Sequence, residues 1–286
     1  MNVLMIHGIG QEASTKNELL EKWTASLHSV QPGLLGSSSI EMAYYGEILA
    51  NWTTGKTKQA VALGEGSIEV DMGNADELKF LSTVLNEFAI KNNIDEAQIA
   101  VAEGGIVPMD NAIVRRLVGL ARLVEKLAPD KGNLLLRLIR QGHTYLSSPG
   151  AAKAVDDIVR PLLLRTPQVL ITHSLGTVIA FKLLREMEKK GEGIKIPLLI
   201  TMGSPLALEA FKAKLGPPRR KPVFVERWEN FYDPSDFVTL GKPLDEKNFA
   251  SDIFNDGTVD NNTFNAHGIV GYLPHQGVVN ALKRVL

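Results

Sequence analysis

One short segment limits what this chain can fold into more than any other. Val169-Leu170-Ile171 is an apolar run, Thr172-His173-Ser174-Leu175-Gly176 follows it, and Thr177 to Lys189 then reads as a helix. An apolar run without polar alternation is a strand covered on both faces, the situation of a parallel sheet. A serine in the sharp turn between such a strand and a helix is the context of a nucleophile elbow. Small flanking residues there let the hydroxyl stand clear of the sheet edge. The usual pattern is Gly-x-Ser-x-Gly, and Thr172 occupies the first glycine position here.

A second segment supports the first. Asn2-Val3-Leu4-Met5-Ile6 reads as another buried strand and ends in His7-Gly8-Ile9-Gly10. Glycines at 8 and 10 let the backbone turn sharply and bring an amide close to a bound group. Together the two segments resemble the esterase and lipase branch of the α/β-hydrolase superfamily, over roughly residues 1–45 and 165–286. The resemblance implies the α/β-hydrolase fold, a mostly parallel central sheet flanked by helices. It also implies that Ser174 is the nucleophile and that the backbone N–H groups of Ile9 and Leu175 form an oxyanion hole. An acid and then a histidine should follow in the chain.

Both follow. Pro222 to Trp228 reads as a strand, and Asp233-Pro234-Ser235-Asp236 comes just after it, at the end where open α/β sheets carry functional groups. By resemblance Asp236, in an Asp-x-Val pattern, is the acid, with Asp233 in reserve. His267, in a loop ahead of the final helix, is the base. The resemblance also places His7, Gly8 and His173 beside the pocket. Gly203-Ser204-Pro205-Leu206 follows the strand Pro197 to Met202 and is similar to a turn that lines lipase pockets, so Ser204, Pro205 and Leu206 are expected to line it too. The remaining histidines have structural readings. His28 and His143 fall in helical patterns; His275, the one rival to His267 as base because it too follows both aspartates, sits after Pro274 where the last helix begins and reads as an N-terminal or surface residue.

The chemistry requires these residue types. A serine hydroxyl is a poor nucleophile near neutral pH until an imidazole within hydrogen-bond reach removes its proton. A carboxylate fixes the tautomer of that imidazole and stabilises its cation. Two amides then stabilise the oxyanion, and loss of one such donor costs about 10²–10³ in rate. This scheme calls for no metal and no organic cofactor, and none is expected. Gly55-Lys56-Thr57 is the end of a phosphate-binding pattern whose first glycine is absent, since position 50 is Ala. Asp252-Ile253-Phe254-Asn255-Asp256-Gly257 departs from a calcium loop at Phe254. It reads as a polar loop, with an irregular calcium site of Asp252, Asp256 and Asp260 as the alternative.

The chain has 286 residues, 44% of them apolar, which suffices for one large core. Residues 75 to about 165 show little strand character and carry helical patterns at 75–91, 111–128, 133–146 and 150–164. They read as a cap-like helical insertion at about 75–150, ahead of the nucleophile strand, within a single domain spanning 1–286. A net charge of −1 gives no electrostatic case for nucleic acid or an anionic membrane. No apolar stretch reaches the length of a membrane span, and the N-terminus lacks the basic start of a signal peptide. The chain has no cysteine, which fits a reducing compartment, so a cytoplasmic location is expected. The leading expectation is hydrolysis of a small carboxylic ester through an acyl-enzyme. The same residues would serve an amidase, peptidase or thioesterase. A third reading is a non-catalytic, hydrolase-like binding protein, and Thr172 in place of glycine is the feature that points to it.

Overall fold

The first strand, β1 (Asn2–Ile6), divides the core in two. Successive side chains of a strand point to opposite faces. Leu4 and Ile6 accordingly enter one apolar cluster, and Val3 and Met5 enter another on the far side of the sheet. In the computed structural model the described residues are 1–54, 59–63, 66–70, 74–103, 112–127, 131–261 and 265–286.

Helix α1 (Lys16–His28) opens with a capping box between Thr15 and Glu18 and buries Leu19, Trp23 and Leu27 against the second cluster. Strand β2 (Ser39–Ala43) and helix α2 (Gly46–Thr54) follow, then an antiparallel hairpin of β3 (Gln59–Leu63) and β4 (Gly66–Val70). Five helices come next: α3 (Ala75–Lys91), α4 (Glu96–Glu103), α5 (Ala112–Leu127), α6 (Lys131–Ser147) and α7 (Pro149–Leu163). Asn74 caps α3 and Ser148 caps α7, each accepting a hydrogen bond from the first turn. The chain then alternates through β5 (Gln168–His173), α8 (Leu175–Lys189), β6 (Ile196–Met202), a single 3-10 turn at Pro205–Ala207 and α9 (Glu209–Leu215). It ends with β7 (Val225–Phe231), β8 (Phe254–Asp256), α10 (Ile269–Tyr272) and α11 (Gln276–Lys283).

The main sheet has six strands in the order β2-β1-β5-β6-β7-β8, all parallel. From β1 the chain moves outward to β2 on one side, and from β5 it moves outward through β6 on the other. The β1–β5 seam is therefore a topological switch point, where the loops at the strand ends diverge and leave a crevice. Right-handed crossovers in opposite directions put helices on opposite faces. Helix α1 joins the Val3–Met5 cluster, and α8 joins the Leu4–Ile6 cluster.

The helices between β2 and β5 pack into the Leu4–Ile6 cluster, through Leu81, Val84, Leu120 and Leu138 among others. Of these, α7 packs on β2, whereas α3 and α4 pack on α5, and α3 and α5 on α6. Strand β7 begins three residues later than the sequence reading placed it. Val223 lies outside the strand and is 72% exposed. Among the described residues no helix is long and apolar enough to cross a membrane.

Candidate active site

The two turns at the C-terminal ends of β1 and β5 meet across the seam. Ser174 has φ 53° and ψ −127°, a conformation that non-glycine residues rarely hold. Hydrogen bonds fix it. The Ser174 N–H donates to the Met202 carbonyl at 3.0 Å, and the Ser174 carbonyl accepts from Thr177 N–H at 3.0 Å and Thr177 Oγ1–H at 2.7 Å.

Space is equally restricted. A Cβ on Gly176 would lie 2.4 Å from the carbonyl oxygens of both Ile6 and His7, and a Cβ on Gly8 would lie 2.6 Å from Ser174 Cβ. No side chain fits at either position. Thr172, at the first glycine position of the usual pattern, lies within extended β5, and its hydroxyl donates to the Ile200 carbonyl at 2.7 Å. Glycine is not needed there, because the close approaches fall on Gly8 and Gly176.

Ser174 Oγ is 2.8 Å from His267 Nε2. His267 Nδ1 is 2.9 Å from Asp236 Oδ2 and 3.1 Å from Oδ1. A carboxylate only accepts, so Nδ1 carries the proton and donates it to Asp236. Nε2 is then the lone pair that accepts from the serine hydroxyl. Val238 N–H donates to Asp236 Oδ1 at 2.8 Å, and the Tyr272 hydroxyl donates to Oδ2 at 2.6 Å. All of these side chains are buried. The structure thus brings Ser174, His267 and Asp236 together in one line.

Asp233, the reserve acid, is engaged elsewhere. Its Oδ1 accepts from the N–H and hydroxyl of Ser235, each at 2.7 Å, and its Oδ2 accepts from Asn261 N–H at 2.8 Å. It ties the loop that carries Asp236 to the segment leading to His267.

His7 and His173 flank the serine as neutral rings. Tyr45 N–H donates to His7 Nε2 at 3.1 Å, so His7 Nδ1 carries the proton and donates to the Gly8 carbonyl at 2.6 Å. Burial holds the His7 pKa down at about 4, against its ordinary 6.5. His173 Nε2 donates to the His267 carbonyl at 2.8 Å, which leaves Nδ1 as an acceptor. Burial, and then the neighbouring His267, hold His173 well below the ordinary histidine range. Both nitrogens of His7 are occupied, so it shapes the turn without exchanging protons.

A cavity of about 380 Å³ opens beside the serine. Ser174, His267 and His173 form one side of it, and His7, Gly8 and Ile9 another. Lys22 and Trp23 from α1 and Ile269 and Val270 from α10 also line it. Among the described residues, neither Ile9 N–H nor Leu175 N–H has a hydrogen-bond partner, and Leu175 is the first residue of α8. The opening amides of a helix have no intrahelical acceptor, and the helix dipole favours negative charge there.

Ser204, Pro205 and Leu206 do not line this cavity, contrary to expectation. They are buried behind the elbow, where Thr177 Oγ1 and Ser204 Oγ lie 2.7 Å apart. The Thr177 proton already goes to the Ser174 carbonyl, so Ser204 is the donor in that pair. The residue of this turn that reaches the site is Gly203, with φ 56°. A Cβ there would lie 3.0 Å from Cε1 and Nδ1 of His267 and 3.1 Å from Asp236 Oδ2. Among the described residues, none of α3 to α7 lines the cavity.

The other candidates fall elsewhere. His275 Nδ1 accepts from Gly277 N–H and caps α11, and His143 is hydrogen-bonded to Asp76 of α3. Among the described residues no group of side chains, Asp252, Asp256 and Asp260 included, is placed to hold a metal ion. Gly55-Lys56-Thr57 lies outside the described residues. Sequence reasoning missed Tyr272, Gly203, Lys22 and the wall-forming role of Trp23. Only Trp23 carried a signal, its helical spacing with Leu19 and Leu27, and that signal reads as core. Comparison of the chain with protein-family models, curated proteins and solved structures finds no match.

Proposed function

We propose that this chain is a serine hydrolase of carboxylic esters, built on an α/β-hydrolase-type sheet. The observation that carries the reading is the continuous line of hydrogen bonds from Ser174 Oγ through His267 to Asp236. The switch-point position of the line and the strained backbone at Ser174 support it further.

An ester bound in the cavity places its carbonyl carbon over Ser174 Oγ. His267 Nε2 takes the hydroxyl proton as the new C–O bond forms, and Asp236 stabilises the imidazolium. The oxyanion that develops meets the two amides of Ile9 and Leu175. The tetrahedral intermediate collapses and expels the alcohol, which leaves with the proton from His267. A water then repeats the sequence on the acyl-enzyme, with His267 again as base, and frees the acid. Within reach of Ser174 only His267 presents an available lone pair on a ring tied to a carboxylate. His7 is saturated, and His173 donates to the His267 backbone.

The test is hydrolysis of p-nitrophenyl esters of short to long acyl chains by wild type and Ser174→Ala, paired with fluorophosphonate labelling. Turnover and a stoichiometric label, both lost in Ser174→Ala, are expected. Equal turnover by the two proteins, or no label on the wild type, would overturn the reading.

A further inference from the structure

Asp236 has more donors than a carboxylate of the proposed triad requires. Its Oδ2 accepts from His267 Nδ1–H at 2.9 Å and from the Tyr272 hydroxyl at 2.6 Å, the shorter of the two contacts. Asp233 N–H donates to the same phenol oxygen at 3.1 Å. That backbone donor occupies the tyrosine oxygen from behind, so the phenol proton has one direction left, toward Asp236. Tyr272 is fully buried, and its ring packs beside His173 with centroids 6.0 Å apart.

We infer that Tyr272 is a positioning residue, which fixes Asp236 against His267 and sets how strongly that carboxylate draws a proton onto the imidazole. The inference rests on the hydrolase reading for its kinetic consequence, but its physical content is a property of the resting protein. A hydrogen bond from a neutral donor to a carboxylate spreads the negative charge and lowers the attraction the carboxylate offers its other partner. With the tyrosine proton present, Asp236 orients the imidazole while its pull on the imidazolium is moderated. Burial, and then the charge of Asp236, push the phenol well above its usual range, so it remains a donor throughout the working pH.

The groups that face the pair come from different elements. His173 comes from the end of β5 and is a neutral ring. Asp233 comes from the loop after β7, and its carboxylate is turned toward Ser235 and Asn261. The tyrosine hydroxyl is therefore the side-chain donor, other than His267 itself, that Asp236 meets among the described residues. Tyr272 does not line the cavity, so its removal should spare substrate binding.

The variant is Tyr272→Phe, which keeps the ring and deletes the proton. The sign follows from charge. Without the phenol donor the negative charge of Asp236 concentrates on the side facing His267, the imidazolium is favoured, and a higher pH is needed to free the base. The fluorophosphonate labelling rate should fall roughly tenfold at neutral pH, and the acid limb of its pH profile should move up. KM for a short p-nitrophenyl ester should stay constant while kcat falls. In the resting protein, the nitrogen resonances of His267 followed by NMR should titrate at higher pH in Tyr272→Phe than in wild type. The effect should vanish when Asp236→Asn is already present, as a double-mutant cycle requires.

A purely structural tyrosine would lower the rate and leave both the limb and the His267 resonances in place, and that result overturns the inference. The NMR titration needs no turnover. A wild type without label would overturn the hydrolase reading alone, whereas unchanged His267 resonances would overturn this inference alone. If Tyr272→Phe fails to fold, Tyr272→Leu, which also lacks a donor and adds no volume, must show the same upward movement of the resonances, and an unmoved titration overturns the inference.

Discussion

Gly8 and Ser174 stand so close that a methyl group on the first would lie 2.6 Å from Cβ of the second. Real side-chain carbons do not approach that closely, so the turn after β1 and the turn after β5 fit only with a bare backbone at position 8. The same contact brings the amide segment that begins at Ile9 to the serine. The strain at Ser174 is therefore held from outside as well as by its own hydrogen bonds. This is expected where a strained residue persists.

The strain is measurable. Glycine reaches φ 53° and ψ −127° more easily than any residue with a Cβ. Ser174→Gly should unfold at higher denaturant concentration than Ser174→Ala, with a difference of about 1–3 kcal/mol. Both should be inactive. Equal midpoints for the two variants would show that the elbow stores no strain.

The two aspartates should separate cleanly. Asp236→Asn leaves the imidazole in the wrong tautomer and should cut the labelling rate by about 10³–10⁴ with little change in fold. Asp233→Asn weakens the ties to Ser235 and Asn261 and should destabilise the protein by about 1–3 kcal/mol, while the rate falls less than tenfold. The check is the labelling rate and the denaturation midpoint measured on both variants. Exchanged roles would show up as exchanged effects.

How much of this was legible in the sequence depends on how each element is held. Strands β1, β5 and β6 are buried on both faces, so they appear as unbroken apolar runs. The elbow was visible because strand, serine and helix are adjacent in the chain. Strand β8 is three residues, Phe254-Asn255-Asp256, at the sheet edge, where one-sided pairing leaves no apolar pattern, so it read as a polar loop. Tyr272 gave no warning, since a single tyrosine in a four-residue helix has no periodicity. Gly203 was overlooked for Ser204 because glycines signal a turn and give no hint of what the turn must pass. The wall formed by Lys22 and Trp23 depends on how α1 lies across the mouth of the seam, a tertiary fact no local pattern encodes.

Acid should weaken the fold through His7. Its folded-state pKa of about 4 lies below the ordinary 6.5, because the buried ring resists protonation. Between those values the unfolded chain binds a proton that the folded chain refuses, so stability falls as pH drops from 6.5 toward 4 and is complete above that window. The contribution is roughly 3 kcal/mol by the lower end. His173 acts in the same direction. Denaturant midpoints of wild type and His7→Gln across this range give the check: the slope should be shallower in the variant, and parallel curves would refute it.

Lys22 should bias which esters react. It is exposed at the cavity wall, has no ion-pair partner among the described residues, and shares the described lining with no carboxylate. A p-nitrophenyl hemiester carrying a free carboxylate should react about threefold faster, relative to its methyl-capped neutral form, at low salt than at high salt. Lys22→Glu should reverse that preference. A ratio indifferent to salt and to the substitution would place Lys22 outside the substrate's reach.

Strand β1 lies between β2 and β5, and the second of these neighbours begins only at Gln168. As the chain is made, strand β1 is without one of its two partners until Gln168 and the residues after it exist. Pairings this distant in sequence are the slow ones. The turns at Gly8 and Ser174 shape each other, so neither is finished alone. An arrested or misassembled copy can keep its helices and still carry an inert hydroxyl. The chemistry proposed here is thereby confined to molecules that have closed the seam, and a reagent for the serine counts completed molecules.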